Sequence, residues 1–210
     1  MSMNNRFVEL SCFQSPYKRA TALSCKPFSC GEHDLDAFFN SDAFEYEDYK
    51  MGRSYCLRLK EHPDTIVAIY TLSCDSIRIY DLPRSRRDAM LRITQHRKRL
   101  KRYPAILIGR LGVSTEYIGR GVGSQVLDVV KQWYGSSTIS AACRFLMVDA
   151  INNESVIAFY QKNKFKLLFS TEQQEDFYVN PPKNEEDRIS RLAHPVHLNT
   201  RLMFYDLLDE

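Results

Sequence analysis

Three glycines at alternate positions, Gly119, Gly121 and Gly123, follow an apolar stretch with the length of a strand and precede a helical pattern. Glycine lets the main chain approach a bound phosphate without a clash from Cβ. The first N–H groups of a helix have no partner within the helix, and the helix dipole favours negative charge there. We therefore predict that this turn binds a pyrophosphate. The residues assigned to it are Gly119, Arg120, Gly121, Val122, Gly123 and Ser124.

Two other nucleotide-binding motifs fit this turn less well. A P-loop ends in Gly-Lys-Ser/Thr, but here Gly123 is followed by Ser124 and Gln125, which excludes that motif. A Rossmann fingerprint has a third glycine where Ser124 stands and an acidic residue about 20 positions further on. Asp149 lies at a longer distance, and no series of βαβ units surrounds the turn, so the sequence disfavours a Rossmann fold.

A second apolar stretch over 144–151 is also predicted to be a strand, and a helical pattern over 153–163 follows it. At these two strand–helix pairs the sequence resembles the GCN5-related N-acetyltransferase (GNAT) family. Gly121 and Gly123 match the first family motif, Arg/Gln-x-x-Gly-x-Gly/Ala. The second motif reads approximately Asn-x-x-Ala-x-x-x-Tyr-x-x-x-Gly-Phe. It is matched by Asn153, Tyr160 and Phe165.

The chain departs from the two motifs at three positions, which are Ile118, Val156 and Lys164. Ile118 stands where Arg or Gln is usual, which matters little if that position contributes only its main chain. Lys164 replaces the glycine that would end the helix. Asn163 or Lys164 itself must therefore end it, and asparagine tolerates the left-handed conformation.

The resemblance implies an α/β fold, with a mixed, mostly antiparallel sheet whose central parallel strands splay apart and which helices flank. The splayed strands are assigned to 106–113 and 144–151. Residues 1–210 are expected to form a single N-acetyltransferase domain, with the acetyl-CoA-binding core at 105–168. The other predicted elements are strands at 6–13, 54–60, 65–79 and 199–208, a helix that continues to about Met51, and a loop or short helix at 180–188.

The resemblance also implies roles in transferring an acetyl group from acetyl-CoA to an amine. Leu111 and Val113 would line the thioester, with the Val113 N–H facing its carbonyl. The amides of 119–124 would hold the pyrophosphate, and Asn153 would bind the pantetheine arm. Tyr160 is the candidate general acid for the leaving sulfur, because a tyrosine with a pKa near 10 is protonated at neutral pH.

The general base is left open. Glu116 and Asp149 are candidates, and both also fit ordinary surface or structural roles, while many family members need only a chain of water molecules. The five histidines are scattered, and no pair has the spacing of metal ligands. The sequence therefore implies no metal.

A third motif lies near the N-terminus: Phe28-x-Cys-Gly-x-x-x-Leu-Asp-x-Phe-Phe39. It resembles the signature of a GNAT subgroup that includes toxin acetyltransferases of bacterial toxin–antitoxin modules. Members of that subgroup acetylate the α-amino group of aminoacyl-tRNA. The resemblance therefore suggests charged tRNA as the acceptor and a ribbon-helix-helix antitoxin as a partner. The polar stretch 180–188 before the last strand could cap the acceptor cleft or carry the contact of a homodimer.

Residues 82–103 hold nine Lys or Arg against one acid, while the whole chain carries a net charge of only +3. Such segregated charge suits an RNA backbone. A solvated basic surface is equally compatible with it, and part of the segment could contact the 3′-phosphate of coenzyme A. The candidate nucleic-acid residues are Arg84, Arg86, Arg87, Arg97, Lys98, Arg99, Lys101 and Arg102.

Composition excludes several other classes of protein. The mean hydropathy is −0.39, and no apolar run approaches the roughly 20 residues of a membrane span. The N-terminus lacks the apolar region of a signal peptide, and the six cysteines include no Cys-x-x-Cys pair. We therefore expect a cytoplasmic protein with reduced thiols and no contact with membranes.

Two alternatives to the tRNA acceptor remain at this stage. The enzyme could acetylate a small amine or a protein or peptide amine, with the basic segment as plain surface. The chain could also be a non-catalytic module that binds acyl-CoA or nucleic acid.

Overall fold

The computed structural model describes residues 11–92, 100–136 and 142–209. Seven strands in these ranges form one sheet. They are β1 (Cys12–Pro16), β2 (Arg53–Leu59), β3 (Ile66–Arg78), β4 (Arg102–Val113), β5 (Phe145–Ile151), β6 (Lys166–Leu167) and β7 (Thr200–Asp206). Their order across the sheet is β1-β2-β3-β4-β5-β7-β6.

The α-helices of the described ranges connect and flank these strands. They are α1 (Arg19–Ser24), α2 (His33–Ala37), α3 (Ala43–Asp48), α4 (Arg84–Arg92), α5 (Val122–Gly135), α6 (Glu154–Lys162), α7 (Glu172–Val179) and α8 (Glu185–Ala193). A π-helical segment, Phe38–Asp42, joins α2 to α3. In the part of the chain that the structure describes, no helix combines the length and the apolar character that crossing a membrane requires.

The pairing of the strands confirms the predicted fold class. β1, β2 and β3 form an antiparallel series, and β7 pairs antiparallel with both β5 and β6. β4 and β5 are neighbours, and α5 connects them, as the crossover of a parallel pair requires. The sheet is therefore mixed and mostly antiparallel, with one parallel pair and flanking helices.

Most predicted elements are present, with shifted ends. The strand predicted at 6–13 has the wrong bounds. Within the described residues, β1 covers Cys12–Pro16, where it pairs with β2. Residues 6–10 lie outside the described residues. The helix predicted to reach Met51 ends as α3 at Asp48. The sequence analysis did not identify α1, α7 or β6, which are all short.

The chain divides into two compact units. The described residues of unit 1 are 11–74 and 108–136, and those of unit 2 are 75–92, 100–107 and 142–209. The expectation of a single domain over 1–210 stays a prediction. The splaying of 106–113 from 144–151 also stays a prediction.

The core of unit 1 is rich in aromatic side chains from the segments around α2 and α3. Phe39, Cys56 and Ile69 are completely buried in it. Phe38 and Phe39 pack edge to face at 5.5 Å between ring centroids, which is a favourable geometry for aromatic pairs. This cluster therefore fixes the helical run on one face of β2 and β3.

The core of unit 2 forms where the first half of β4, β5 and β7 meet α4 and α7. Phe145 and Phe169 are almost fully buried there, and Phe145 packs edge to face against Phe204 at 5.9 Å. The Arg144 amide donates to the Pro104 carbonyl at 3.0 Å, which joins the start of β5 to β4.

The two glycines of β4 have different surroundings. A Cβ on Gly112 would lie 2.9 Å from the Phe39 ring and 3.2 Å from Cβ and Sγ of Cys30. A Cβ on Gly109 would meet no atom of the described residues within 4 Å. Gly112 is therefore required by the packing of unit 1, whereas the space beside Gly109 is open.

We expect Gly112→Ala to lower the free energy of unfolding by about 1–3 kcal/mol, because the added methyl group overlaps a buried ring. Gly109→Ala is the matched control on the same strand and should change it by about 0.5 kcal/mol or less. Urea unfolding followed by circular dichroism measures both. Equal effects of the two substitutions would contradict the packing described for Gly112.

Candidate active site

The glycine turn in unit 1 adopts a main-chain conformation that favours glycine. Gly119 and Gly121 have φ angles of 79° and 80°, in the left-handed region. Residues with a Cβ rarely adopt this main-chain conformation, which costs them roughly 1–2 kcal/mol. Gly121 is the N-cap of α5, so these two residues turn the chain from the end of β4 into the helix.

The same turn presents main-chain donors at the start of α5. The first helical bond of α5 runs from the Gln125 amide to the Gly121 carbonyl, so the N–H groups of 122–124 precede the first donor that has an acceptor within the helix. Residues 119–121 are exposed, and a Cβ at Gly119 would meet nothing within 4 Å in the described residues. The turn therefore offers free amides and open space, as a bound diphosphate needs.

Arg120 contributes to this turn differently from its neighbours. Its amide donates to the Tyr117 carbonyl at 3.3 Å, so that N–H is already used within the protein. Its guanidinium lies 5.3 Å from the centroid of the Tyr117 ring. Any contact of Arg120 with a phosphate would therefore come from the side chain, not from the main chain as the sequence analysis expected.

The end of β4 is fixed by two main-chain bonds, one to β3 and one to the N-terminal signature. The Ser114 amide donates to the Val67 carbonyl at 2.9 Å, and the Thr115 amide donates to the Ser29 carbonyl at 3.0 Å. Ser29 immediately precedes the Cys-Gly pair of the signature. The signature therefore helps to hold the strand end from which Leu111, Val113 and the glycine turn are presented.

Asp36 organises the signature loop. Its carboxylate accepts hydrogen bonds from the Ser29 hydroxyl at 2.6 Å, the Cys30 amide at 2.7 Å and the Cys30 thiol at 3.1 Å. Burial alone would raise the pKa of the Asp36 carboxyl, but these hydrogen bonds outweigh burial and lower it. Burial and the bond to Asp36 raise the pKa of the Cys30 thiol to about 11, so the thiol is protonated at neutral pH.

Arg110 lies on β4 against the π-helical segment. Its guanidinium carbon is 3.7 Å from the centroid of the Phe38 ring and 5.3 Å from that of Tyr46. Phe38 and Tyr46 also pack edge to face at 5.3 Å. The two rings therefore form an aromatic platform under this cation. Sequence reasoning missed this contact, because the platform depends on how the helical run packs on β4.

In unit 2, Asn153 is the N-cap of α6. Its Oδ1 accepts from the Val156 amide at 2.9 Å and from the Ser155 hydroxyl at 2.9 Å. A side chain that caps a helix typically stabilises it by about 1 kcal/mol. Because Oδ1 is occupied, Nδ2 is the group through which Asn153 can donate to a ligand.

Tyr160 lies on α6 and is 8% exposed. Its ring packs against Phe159 at 5.0 Å and Phe165 at 5.6 Å. Burial raises the pKa of Tyr160 to about 12, because the phenolate would lose its hydration. The phenol is therefore protonated at neutral pH, as a proton donor must be.

The end of α6 is fixed by two main-chain hydrogen bonds. The Lys164 amide donates to the Gln161 carbonyl at 2.9 Å, and the Phe165 amide donates to the Tyr160 carbonyl at 3.0 Å. These bonds form a Schellman motif, in which the residue after the cap is left-handed. That residue is Lys164, with φ of 66°, where the family motif has glycine. Lys164 itself therefore ends the helix.

The two candidate general bases are both exposed. Glu116 lies in a short 3₁₀ turn of unit 1, and Asp149 lies near the end of β5 in unit 2. Neither position identifies a base. Within residues 11–92, 100–136 and 142–209, no group of three or more His, Cys, Asp or Glu side chains could hold a metal ion.

The basic segment is described in part. Arg84, Arg86 and Arg87 lie on α4, and Arg84 is exposed. Lys101 and Arg102 are exposed around the start of β4. The other three predicted nucleic-acid residues, Arg97, Lys98 and Arg99, lie outside the described residues.

Comparison with known proteins matches one family to a stretch that includes both the glycine turn and Tyr160. The model of the Acetyltransferase (GNAT) family matches residues 25–165. The sequence has no significant match among curated proteins. Among solved structures, it is similar to a tyrosine-to-phenylalanine mutant of KacT, at 20% identity with a TM-score of 0.64 over 94% of this chain and 95% of that chain.

Two further solved structures have comparable similarity. AtaT complexed with acetyl-methionyl-tRNAfMet is 18% identical, with a TM-score of 0.63 over 93% of this chain and 94% of that chain. AtaTR bound with AcCoA is 18% identical, with a TM-score of 0.62 over 94% of each chain. At these identities, the similarity establishes a shared fold.

Asp36→Asn should lower the free energy of unfolding at pH 7 by about 1–3 kcal/mol, because the amide cannot accept all the hydrogen bonds that the carboxylate accepts. The folded pKa of Asp36 is depressed, so its contribution is present above the pKa of the unfolded chain and is lost as pH falls through the folded value. The difference between wild type and variant should therefore shrink at acidic pH. Urea titrations at pH 7 and below pH 4 measure it.

Asp34→Asn is the control, because Asp34 lies on the same helix with its side chain fully exposed. It should change stability by about 0.5 kcal/mol or less. A difference between Asp36→Asn and wild type that is independent of pH would contradict an ionised Asp36 as the acceptor.

Proposed function

Because the chain belongs to the acetyltransferase (GNAT) family, we propose that it acetylates the α-amino group of an aminoacyl-tRNA. As a member of this family it is an acyltransferase that uses acetyl-CoA. When bound, acetyl-CoA supplies an activated acetyl group and a sulfur leaving group. The acceptor and the roles of individual residues belong to the proposal.

The glycine turn supports the proposed binding of the cofactor. The amides of 122–124, together with the dipole of the 14-residue helix α5, suit the two negative charges of a pyrophosphate. We assign Leu111 and Val113, at the end of β4, to the region that faces the thioester. Asn153 would donate to the pantetheine arm through Nδ2.

Tyr160 is the proposed general acid. Acyl transfer from a thioester needs a proton at the departing sulfur, and the Tyr160 hydroxyl carries one at neutral pH. Burial makes the phenol a weaker acid than free tyrosine, but the same low-dielectric surroundings would also disfavour a thiolate beside it. The proton would therefore pass between two groups whose charged forms are both destabilised.

The acceptor is inferred from the segregated positive charge of residues 82–103, and this is the observation that carries the tRNA proposal. The similar structures include AtaT with acetyl-methionyl-tRNAfMet, which supports the same acceptor class for this chain. They also include AtaT bound to the C-terminus of the antitoxin AtaR and a KacTA–DNA complex. These two structures support an antitoxin as a partner of this chain. The ribbon-helix-helix type of that antitoxin, a homodimeric toxin-like assembly and a cytoplasmic location are further parts of the proposal.

The acceptor is tested by incubating the protein with radiolabelled acetyl-CoA and a panel of acceptors. The panel contains aminoacylated tRNA, the same tRNA after deacylation, small primary amines and peptides with free N-termini. We expect label on aminoacylated tRNA and none on deacylated tRNA. Preferential labelling of small amines or peptides would replace the tRNA proposal, and absence of label on every acceptor would favour a module that only binds.

Tyr160→Phe should lower kcat by about 10²–10⁴-fold, because it removes the donated proton and leaves the ring packing intact. The affinity for acetyl-CoA, measured by calorimetry, should stay within about twofold, since a proton donated during the reaction adds little to ground-state binding. Steady-state acetylation of the acceptor identified above, at saturating substrate concentrations, measures kcat.

Tyr205→Phe is the matched control, because Tyr205 also packs on Phe165 in unit 2, at 5.7 Å between ring centroids. Its hydroxyl donates to the Asp209 carbonyl at 3.3 Å, near the end of the chain. The variant should retain wild-type turnover. If Tyr160→Phe also retained it, Tyr160 would not be the acid.

A further inference from the structure

We infer that a cavity between α4 and α7 of unit 2 binds a backbone phosphate of the RNA acceptor, an inference that rests on the proposed function. The cavity has a volume of about 280 Å³. One wall is the first half of α4, with Ser85, Arg86 and Ala89. The other wall is the segment that enters α7, with Leu168, Ser170 and Gln174.

The size of the cavity limits what it can hold. A water molecule occupies about 30 Å³ in the liquid, so the cavity is much larger than a hydration site. Pockets for drug-sized ligands usually measure about 300–1,000 Å³, so this one is at or below their lower limit. A phosphate with its attached sugar fits this size better than a complete dinucleotide.

Arg86 supplies the positive charge of the cavity. Its guanidinium carbon lies 5.7 Å from the centroid of the Phe204 ring, which belongs to the buried core of unit 2. The residue is half-buried, and it has no ion pair or hydrogen bond within the described parts of the chain. A cation that is partly removed from water and lacks an anionic partner favours an anionic ligand.

The acidic groups near the cavity are engaged with other residues. On α4, Asp88 lies 3.7 Å from Arg84 and 3.9 Å from Arg87. On α7, Glu172 accepts from the Leu198 amide at 2.6 Å. Because both carboxylates have other partners, the charge of Arg86 remains available to a ligand.

The two buried acids of α7 are also paired with other residues, Asp176 with Arg191 and Glu175 with Arg201. Glu175 is 2% exposed and pairs with Arg201 at 2.8 Å. Its carboxylate also accepts from the Leu202 amide. α7 therefore adds no uncompensated negative charge to its wall of the cavity.

The remaining polar groups of the walls suit a phosphodiester. Hydroxyl groups of Ser85 and Ser170 and the side-chain amide of Gln174 can donate to phosphate oxygens or pair with a ribose hydroxyl. The first helical acceptor of α4 serves the Arg87 amide, which donates to the Pro83 carbonyl at 2.9 Å. The N–H groups before it precede the helical hydrogen bonds.

Arginine recognises phosphate through two parallel N–H donors, and the position of the Arg86 guanidinium over the Phe204 ring restricts its movement. The surrounding cations of α4 raise the local positive potential, which attracts a polyanion more strongly than a single phosphate. Two sources could supply the phosphate: the backbone of the RNA, which we infer, and the 3′-phosphate of coenzyme A.

The inference is tested by the equilibrium binding of deacylated tRNA, without cofactor, as a function of salt concentration. Arg86→Gln should raise the Kd about tenfold at low salt and reduce the slope of log Kd against log salt by about 1. Ala89→Leu should also weaken binding, because it fills the cavity although it removes no charge. Thermal unfolding of each variant verifies that it is folded.

Arg188→Gln is the control, because Arg188 is an exposed arginine on α8 that pairs with Glu185 at 2.8 Å, away from the cavity residues in sequence. It should leave both the Kd and the slope nearly unchanged. If Arg86→Gln had no effect, or if Ala89→Leu had none, the cavity would not be the phosphate site. If Arg86→Gln instead raised the KM for acetyl-CoA and left tRNA binding intact, the phosphate would be that of the cofactor.

These results are separate from the fate of the proposed function. A wild-type protein that binds tRNA but transfers no acetyl group to it would overturn the proposed function, while the binding measurement would still test the cavity. If the wild-type protein acetylates aminoacyl-tRNA and the Arg86→Gln and Ala89→Leu variants do so with equal efficiency, only the inference about the cavity is overturned.

Discussion

In each unit, the candidate functional element depends on a main chain that enters the left-handed region. In unit 1, Gly119 and Gly121 take positive φ angles, and only then can α5 begin with its free amides beside the end of β4. In unit 2, Lys164 takes a positive φ angle and ends α6 in a Schellman motif. Lysine in this conformation costs roughly 1–2 kcal/mol relative to glycine, and the packing of Phe165 on Tyr160 offsets part of that cost.

The acid of the N-terminal signature has a structural role that its type alone does not reveal. An aspartate near a cysteine could suggest a metal site or an activated thiol. Here the Asp36 carboxylate accepts hydrogen bonds from Ser29 and Cys30, and these bonds shape the loop that holds Thr115. The signature therefore supports the end of β4 by hydrogen bonding and by the tight packing of Phe39 on Gly112.

The sequence alone predicted the elements that carry the site, because their signals are local. Continuous apolar stretches gave β4 and β5, helical apolar patterns gave α5 and α6, and the glycines marked the turn before α5. Prediction from the sequence failed where an element depends on partners that are distant in the chain. The register of β1 follows from pairing with β2, and β6 has only two residues, too few for a periodic signal. The platform under Arg110 likewise arises from packing between a strand and helices far apart in sequence.

The π-helical segment Phe38–Asp42 constrains the number of residues between α2 and α3. The Ala43 amide donates to the Phe38 carbonyl five positions back, where an α-helix would use the position four back. Deleting one residue would restore α-helical geometry and rotate α3 by about 100° relative to α2. Phe38 and Tyr46 would then face different directions, and Arg110 would lose its paired rings. In relatives that keep this platform, we expect substitutions at the positions between Phe38 and Tyr46, but no insertions or deletions there.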